Sequence, residues 1–188
     1  MHQNLPRRIM HEPDLTSAKA VFEILVREHA EMLEAYLRSV LGPTADMDDI
    51  FQETMLVAYR RLDDYDKKRP FGAWLRGIAR VLILEHARKG MSRPRTRDPL
   101  ILDGIDRRFE TIENQPGDTF SERTRPLLDC VEKLPEKMRL SIELVYIRGL
   151  SIAEASASLS TGVEAMKKRV QRSRLLLADC LGISAPHD

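Results

Sequence analysis

Apolar positions recur every three or four residues along most of the chain, and no stretch sustains a two-residue alternation. The pattern predicts an all-α protein. From Ser17 to Val40 the spacing of Val21, Leu25, Met32, Leu33, Tyr36 and Leu37 predicts one long helix, stopped by Leu41-Gly42-Pro43. A second helix is expected from Asp46 to Leu62, with Phe51, Met55, Ala58 and Leu62 as its core stripe. Acidic residues in its first turn suit the positive end of the helix dipole. "DDYDKK" (63–68) breaks the pattern, and Pro70 can take the first position of a third helix. That helix carries Phe71, Trp74, Leu75, Ile78, Ala79 and Leu82 on one stripe, assigning Trp74 to the core, and fades at Lys89-Gly90.

Residues 91–122 differ, being rich in Pro, Gly and charge with no lasting period, and read as a linker holding one short turn near "PLILD". The expected division is a flexible N-terminus (1–16), a helical domain (17–90), the linker (91–122), a second helical domain (123–183) and a tail (184–188). In the second domain Pro126 opens a helix, and Leu134-Pro135 ends it and starts another that runs to Arg148 and stops at Gly149. "SIAE" (151–154) has the form of a capping box, and "TGVE" (161–164) repeats it. A short helix, a tight turn and a second helix make a helix-turn-helix.

Of the 188 residues 43% are hydrophobic and 31% charged, which fits a globular, water-soluble protein. No apolar run approaches the ~20 residues that span a bilayer. The N-terminus lacks the apolar segment of a signal peptide, so no membrane insertion and a cytoplasmic location are expected. Cys130 and Cys180 show no metal spacing and sit among apolar helical neighbours; buried free thiols are expected. His2, His11, His29, His86 and His187 are scattered without ligand spacing, and no Gly-rich phosphate loop occurs. Neither a catalytic set nor a metal or cofactor site is expected.

Net charge is only +1, but its distribution is uneven. Acid gathers at 46–53; base gathers at 88–97 and on "VEAMKKRVQRSR" (163–174). On charge alone this last helix is an ordinary solvated face. Its position as second helix of a helix-turn-helix changes that, because this element enters the major groove. On a helical wheel Val163, Met166, Val170, Ser173 and Leu177 point inward. Glu164, Ala165, Lys168, Gln171 and Arg172 point outward and are candidates for base readout. Lys167, Arg169 and Arg174 are candidates for phosphates. Leu175 also points outward.

Residues 127–177, from "LLDCVEKLPEKMRLSIELVYIRGLSIAEA" to "KKRVQRSRLLL", resemble region four of bacterial RNA polymerase sigma factors. "DDIFQETMLVAYRRLDDYDKKRPFGAWLRGIARVLILEHARK" (48–89) resembles region two. With nothing like a region three between them, the pair is similar to the small extracytoplasmic-function (ECF) type. The resemblance implies two small helical domains and a non-catalytic specificity subunit that binds core RNA polymerase and promoter DNA. It implies a docking face at Asp49, Gln52 and Glu53, whose side of the helix also carries Leu56 and Arg60. It implies recognition and melting of the minus-ten element by the 63–70 loop and the next helix, with Tyr65, Lys67, Lys68, Arg69, Arg76 and Arg80 as candidates. The helix 162–178 would read the minus-35 element, the linker would thread the polymerase, and an anti-sigma protein is a further expected partner. Val81 stands where the family usually has Asn, Ser156 where it has Ala, and Ser160 where it has the turn Gly. A stand-alone helix-turn-helix regulator is the alternative, which gives no reason for the Asp49/Gln52/Glu53 face to bind core polymerase; a structural helical adaptor is a third reading, favoured by an absence of salt-dependent DNA affinity.

Overall fold

The computed structural model describes residues 15–42, 44–92 and 94–183. The expected N-terminal segment (but for residues 15 and 16), Pro43, Arg93 and the expected tail lie outside the described residues. Those described fold into α-helices: α1 (Leu15–Leu41), α2 (Asp46–Arg60), α3 (Phe71–Arg88), α4 (Pro99–Glu113), α5 (Phe120–Glu132), α6 (Glu136–Ile142), α7 (Ile152–Ser158) and α8 (Val163–Cys180). A 3-10 turn follows α2, and a π-helical turn, Glu143–Ile147, extends α6.

α1, α2 and α3 pack as a bundle. Met32, Leu33, Tyr36, Leu37, Val40 and Leu41 of α1 meet Ile50 of α2 and Ala79, Leu82 and Ile83 of α3. Phe22, Ala58, Phe71 and Leu75 form a second cluster at the other end. The α2 stripe is rotated from the expected one: Ile50, Thr54 and Ala58 are fully buried, while Phe51 and Met55 sit at its margin. Thr54 tolerates burial because its hydroxyl donates to the Ile50 carbonyl, at 2.6 Å.

The expected linker contains a 15-residue helix, α4, instead of a single short turn. Asp98 caps it by accepting from the Leu100 amide, and Pro99 fits the first turn, where no amide is needed. Leu102 and Phe109 enter the first core, with Ile105 packed beside them. Burying two such side chains contributes roughly 1.5–3 kcal/mol each. The polar side of α4 faces α3. Arg76, expected to face DNA, is 2% exposed and pairs with Glu113; its Nε lies 3.6 Å from Asp106 and its guanidinium covers the Phe109 ring. Arg80 pairs with Asp103 at 2.6 Å and with Asp106 at 3.1 Å. Gly72 makes the first pair possible, since a Cβ there would collide with the Glu113 carboxylate.

α5 bridges the two halves. Its start is set by a Thr119–Glu122 capping box, and Pro126 lies inside it instead of opening it. Phe120 stacks on Phe109 with the rings 9° from parallel, and Ser121 donates to Glu31 of α1. Beyond it, Leu144, Ala155, Met166 and Val170 form a thin core joining the π-helical turn, α7 and α8. Gly149 ends the α6 segment with φ +68°, as expected. The cysteines are not free: Cys130 of α5 and Cys180 of α8 are disulfide-bonded, their Cα atoms 6.0 Å apart. Cys130 is buried as expected, but Cys180 is exposed; apolar neighbours fit a thiol and a bridge equally well, so local sequence did not separate the two.

Removing Arg76 would leave the largely buried Glu113 and Asp106 carboxylates without this cation. Arg76→Ala is expected to destabilise the protein by about 3 kcal/mol in urea unfolding. Arg80→Ala, at a pair open to solvent, should cost at most about 1 kcal/mol. Equal effects would show that burial does not distinguish the two arginines.

Candidate nucleic-acid interface and docking face

The helix-turn-helix is positioned by its caps. Ser151 and Glu154 form the reciprocal box expected at the start of α7. Hydrogen bonding to Ser151 holds the Glu154 carboxyl below its ordinary pKa, so it stays an acceptor. The second expected box does not form. Gly162 takes the N-cap position of α8, which puts Glu164 one residue early, where it pairs with Lys167 at 2.7 Å. In the turn, Ser160 sits at φ +48°, the non-glycine residue of left-handed conformation among those described. Buried Ser156 fits in place of alanine because its hydroxyl donates to the Ala153 carbonyl, at 2.8 Å.

On α8, Met166, Val170 and Ser173 are buried as expected, and Leu177 is half-buried. Glu164, Ala165, Lys168, Gln171 and Arg172 form one exposed face, with Lys167 and Arg174 exposed and Arg169 half-buried beside it. Val163, expected inward, is 43% exposed. Leu175 and Leu176 are also exposed, and nothing in the fold accounts for them.

On α2, Asp49, Gln52, Leu56 and Arg60 are exposed on one side, joined by Tyr59. Glu53 is only partly available: its carboxylate bonds His86 Nε2 at 2.7 Å and ties α2 to α3.

The minus-ten candidates divide. Lys67, Lys68 and Arg69 are exposed on the loop, while Arg76 and Arg80 face α4 on the opposite side of α3. Tyr65 packs edge-on against Phe71 and tilted against Trp74, and its hydroxyl donates to the Arg69 carbonyl. Partial burial, with the charge of Asp66, pushes its phenol pKa up and keeps it a neutral donor. Tyr65 and Trp74 wall an open cavity of about 750 Å³ whose lining also includes Arg61, Asp64, Asp66, Arg69, Gly77 and Val81. Trp74 is therefore a half-buried wall as well as a packing residue. Gly77 and Val81 were absent from the sequence-based candidates. Their signal was present: Ala73, Gly77 and Val81 form an i, i+4, i+8 stripe of small or apolar residues opposite the core. No side chain fills the space above Gly77.

Residues 25–93 match the family described as Sigma-70 region 2, and residues 124–177 match Sigma-70, region 4. The chain is 31% identical over 156 residues to the ECF RNA polymerase sigma factor EcfG of Rhodopseudomonas palustris, covering 83% of this chain and 82% of that one. It is 31% identical over 182 residues to the RNA polymerase sigma factor CnrH of Cupriavidus metallidurans, covering 93% of each. It is 29% identical, with the same coverage, to the ECF RNA polymerase sigma-E factor of Escherichia coli. A solved structure of CnrH with the cytosolic domain of CnrY is 28% identical over 89% of this chain and 94% of that one, with a TM-score of 0.31.

The chain belongs to the sigma-70 family, as an ECF sigma factor.

It is thus a non-catalytic specificity subunit that directs promoter-specific transcription initiation, and the stand-alone regulator is not favoured. The exposed side of α2 and the aromatic cavity both fall inside the region 2 match, and the helix-turn-helix inside the region 4 match. α4, which lies outside both, supplies the carboxylates that hold Arg76 and Arg80. Among the described residues no helix is long and apolar enough to cross a membrane.

The left-handed turn residue of this sigma factor allows a direct check. Ser160→Gly removes a steric cost of ~1–2 kcal/mol and adds a smaller entropic one. A net gain of roughly 0.5–1 kcal/mol is expected in thermal unfolding. A loss would mean that the Ser160 side chain stabilises the turn.

Proposed function

We propose that the exposed Asp49–Gln52–Leu56–Arg60 side of α2 docks on core RNA polymerase, that the cavity beside α3 receives an unstacked base of the minus-ten element, and that α8 reads the minus-35 element. One observation carries the reading: an exposed acidic-apolar face and an exposed basic recognition helix stand on separate domains of one chain. Residues 17–90 form the first domain, 123–183 the second, and α4 is an extension packed on the first. The tetherlike part of the expected linker is reduced to the stretches on either side of α4.

Flipping a base out of the duplex costs a few kcal/mol, which stacking surface must recover. Tyr65 and Trp74 supply that surface, while Arg61, Lys67, Lys68 and Arg69 supply cations for the backbone. Val81, 55% exposed, gives the cavity wall an aliphatic surface where an amide is usual. Arg76 and Arg80 support the cavity from behind through α4 and do not touch DNA. On α8, Lys168 and its outward neighbours face base edges, whereas Lys167 and Arg174 reach phosphates. The protein works in the cytoplasm beside the polymerase. An anti-sigma protein is a fitting partner for the exposed Leu127, Leu128, Leu175 and Leu176.

Co-elution with core RNA polymerase tests the docking face. The wild type should bind, and Asp49→Ala/Leu56→Ala should weaken binding at least about tenfold without unfolding the protein; Glu53 is left intact because it holds His86. Failure of the wild type to bind would favour the stand-alone regulator. For the second domain, Lys168→Ala should weaken binding to a minus-35 duplex more than to unrelated DNA. Lys167→Ala should weaken both alike and lower the salt slope by about 0.9. Equal, sequence-independent losses from both would overturn the assignment of Lys168 to bases.

A further inference from the structure

The bond between Cys130 and Cys180 has no part in docking or DNA reading, and its placement is unusual for a protein of the cytoplasm. Thioredoxin and glutathione keep thiols reduced there, and the disulfides that do form are mostly transient or redox-sensing. We propose that Cys130 and Cys180 form a reversible thiol–disulfide site that responds to peroxide and sets the stability of the DNA-reading domain. The physiological part of this inference rests on the cytoplasmic reading above.

The two cysteines differ as a sensing pair should. Cys180, the last residue of α8, is exposed and open to attack, whereas Cys130 is 5% exposed. The Cys180 thiolate attacks one peroxide oxygen and the O–O bond breaks. The departing hydroxide takes up a proton as water and leaves a sulfenic acid on Cys180. The Cys130 sulfur then attacks the Cys180 sulfur. The S–S bond forms, the S–O bond breaks, and hydroxide leaves with the Cys130 proton as a second water. Two thiols and one peroxide give one disulfide and two waters. A cellular dithiol restores the thiols by two exchange steps and is itself oxidised.

The consequence follows from where the bond lies. The thin core of this domain draws on Met166 and Val170 but on no residue of α8 beyond them. The far end of α8, from Ser173 to Cys180, is held through buried Ser173 and Ala178, and α8 meets both α5 and α6. Along the chain α5 is joined to α6 by the short turn at Lys133–Pro135. One covalent link is a hinge; the disulfide is a second, and it closes a 50-residue separation around α6, α7 and α8. Oxidation therefore restricts the unfolded domain and fixes the end of the recognition helix on α5.

The test uses the full chain, equilibrated in dithiothreitol or treated with hydrogen peroxide, with free thiols trapped by an alkylating mass tag. Two thiols should be trapped after dithiothreitol and none after peroxide, interconverting over repeated cycles. By calorimetry the unfolding midpoint of the oxidised form should lie roughly 10 °C above that of the reduced form. At a temperature midway between the two, the reduced domain is less than half folded, so its apparent affinity for a minus-35 duplex should be about twofold weaker or more. Cys130→Ser and Cys180→Ser should each behave as the reduced form and ignore peroxide. A bond that persists in excess dithiothreitol, one that does not re-form with peroxide, or oxidation without a midpoint shift would each overturn the proposal. None of these outcomes depends on polymerase binding, so failure here and failure of the docking reading are separable.

Discussion

A guanidinium with 2% exposure must be neutralised, and the way Arg76 is neutralised organises the first half of the molecule. Its partners, Glu113 and Asp106, come from a helix outside the matched region 2 segment. To meet them α4 has to lie along α3, and this in turn places Leu102 and Phe109 in the core. Phe109 then offers its face to Phe120, which brings α5 against the first domain. Gly72 is the permissive element, because any side chain would occupy the space of the Glu113 carboxylate. The ion pair thus selects the register of α4 more than it adds net stability, since desolvation cancels much of the attraction between buried charges.

That constraint decides which side of α3 is free. With Arg76 and Arg80 committed to α4, the opposite side is left with Ala73, Gly77 and Val81, small or aliphatic residues beneath the Tyr65–Trp74 wall. The recess carries both signs of charge, with Arg61 and Arg69 beside Asp64, Asp66 and Glu85, so on the proposed reading its aromatic wall contributes more than its cations do, because stacking needs a surface and charge alone supplies none. On the proposed reading Arg76 and Arg80, which a helical projection turns toward DNA, act only through the shape they hold by pairing with α4.

The all-α fold, α1 to α3, the Gly149 stop, the Ser151–Glu154 cap and the exposed face of α8 were legible in the sequence because each rests on a local signal. α4 was not, although its cap and apolar spacing are present. Gly104, Pro99 and the density of charge resemble a linker until Arg76 and Arg80 are known to need partners 23 to 37 residues away. The same non-local dependence hid the cysteine pairing, at a separation of 50 residues. Pro126 misled in the opposite sense: a proline often marks a helix start, but the Thr119–Glu122 box upstream sets the start of α5. At "TGVE" the residue types fit a box, but Gly162 moved the cap by one position. A capping box depends on spacing as well as composition.

The near-neutral total charge of the chain follows from this arrangement. Cations face outward on the 67–69 loop and on α8, where the proposed partner is DNA, and acids face outward at the start of α2, where the proposed partner is a protein. Elsewhere charges are spent on one another, as in the pairs joining α3 to α4. Neutralising the long-range field while keeping local patches lets specific surfaces act through short-range contacts. At physiological ionic strength charges more than ~8 Å apart are largely screened. A uniformly basic protein of this size would bind any DNA first. On the proposed reading the basic helix α8 keeps its phosphate contacts, and the acidic surface of α2 stays free for the polymerase.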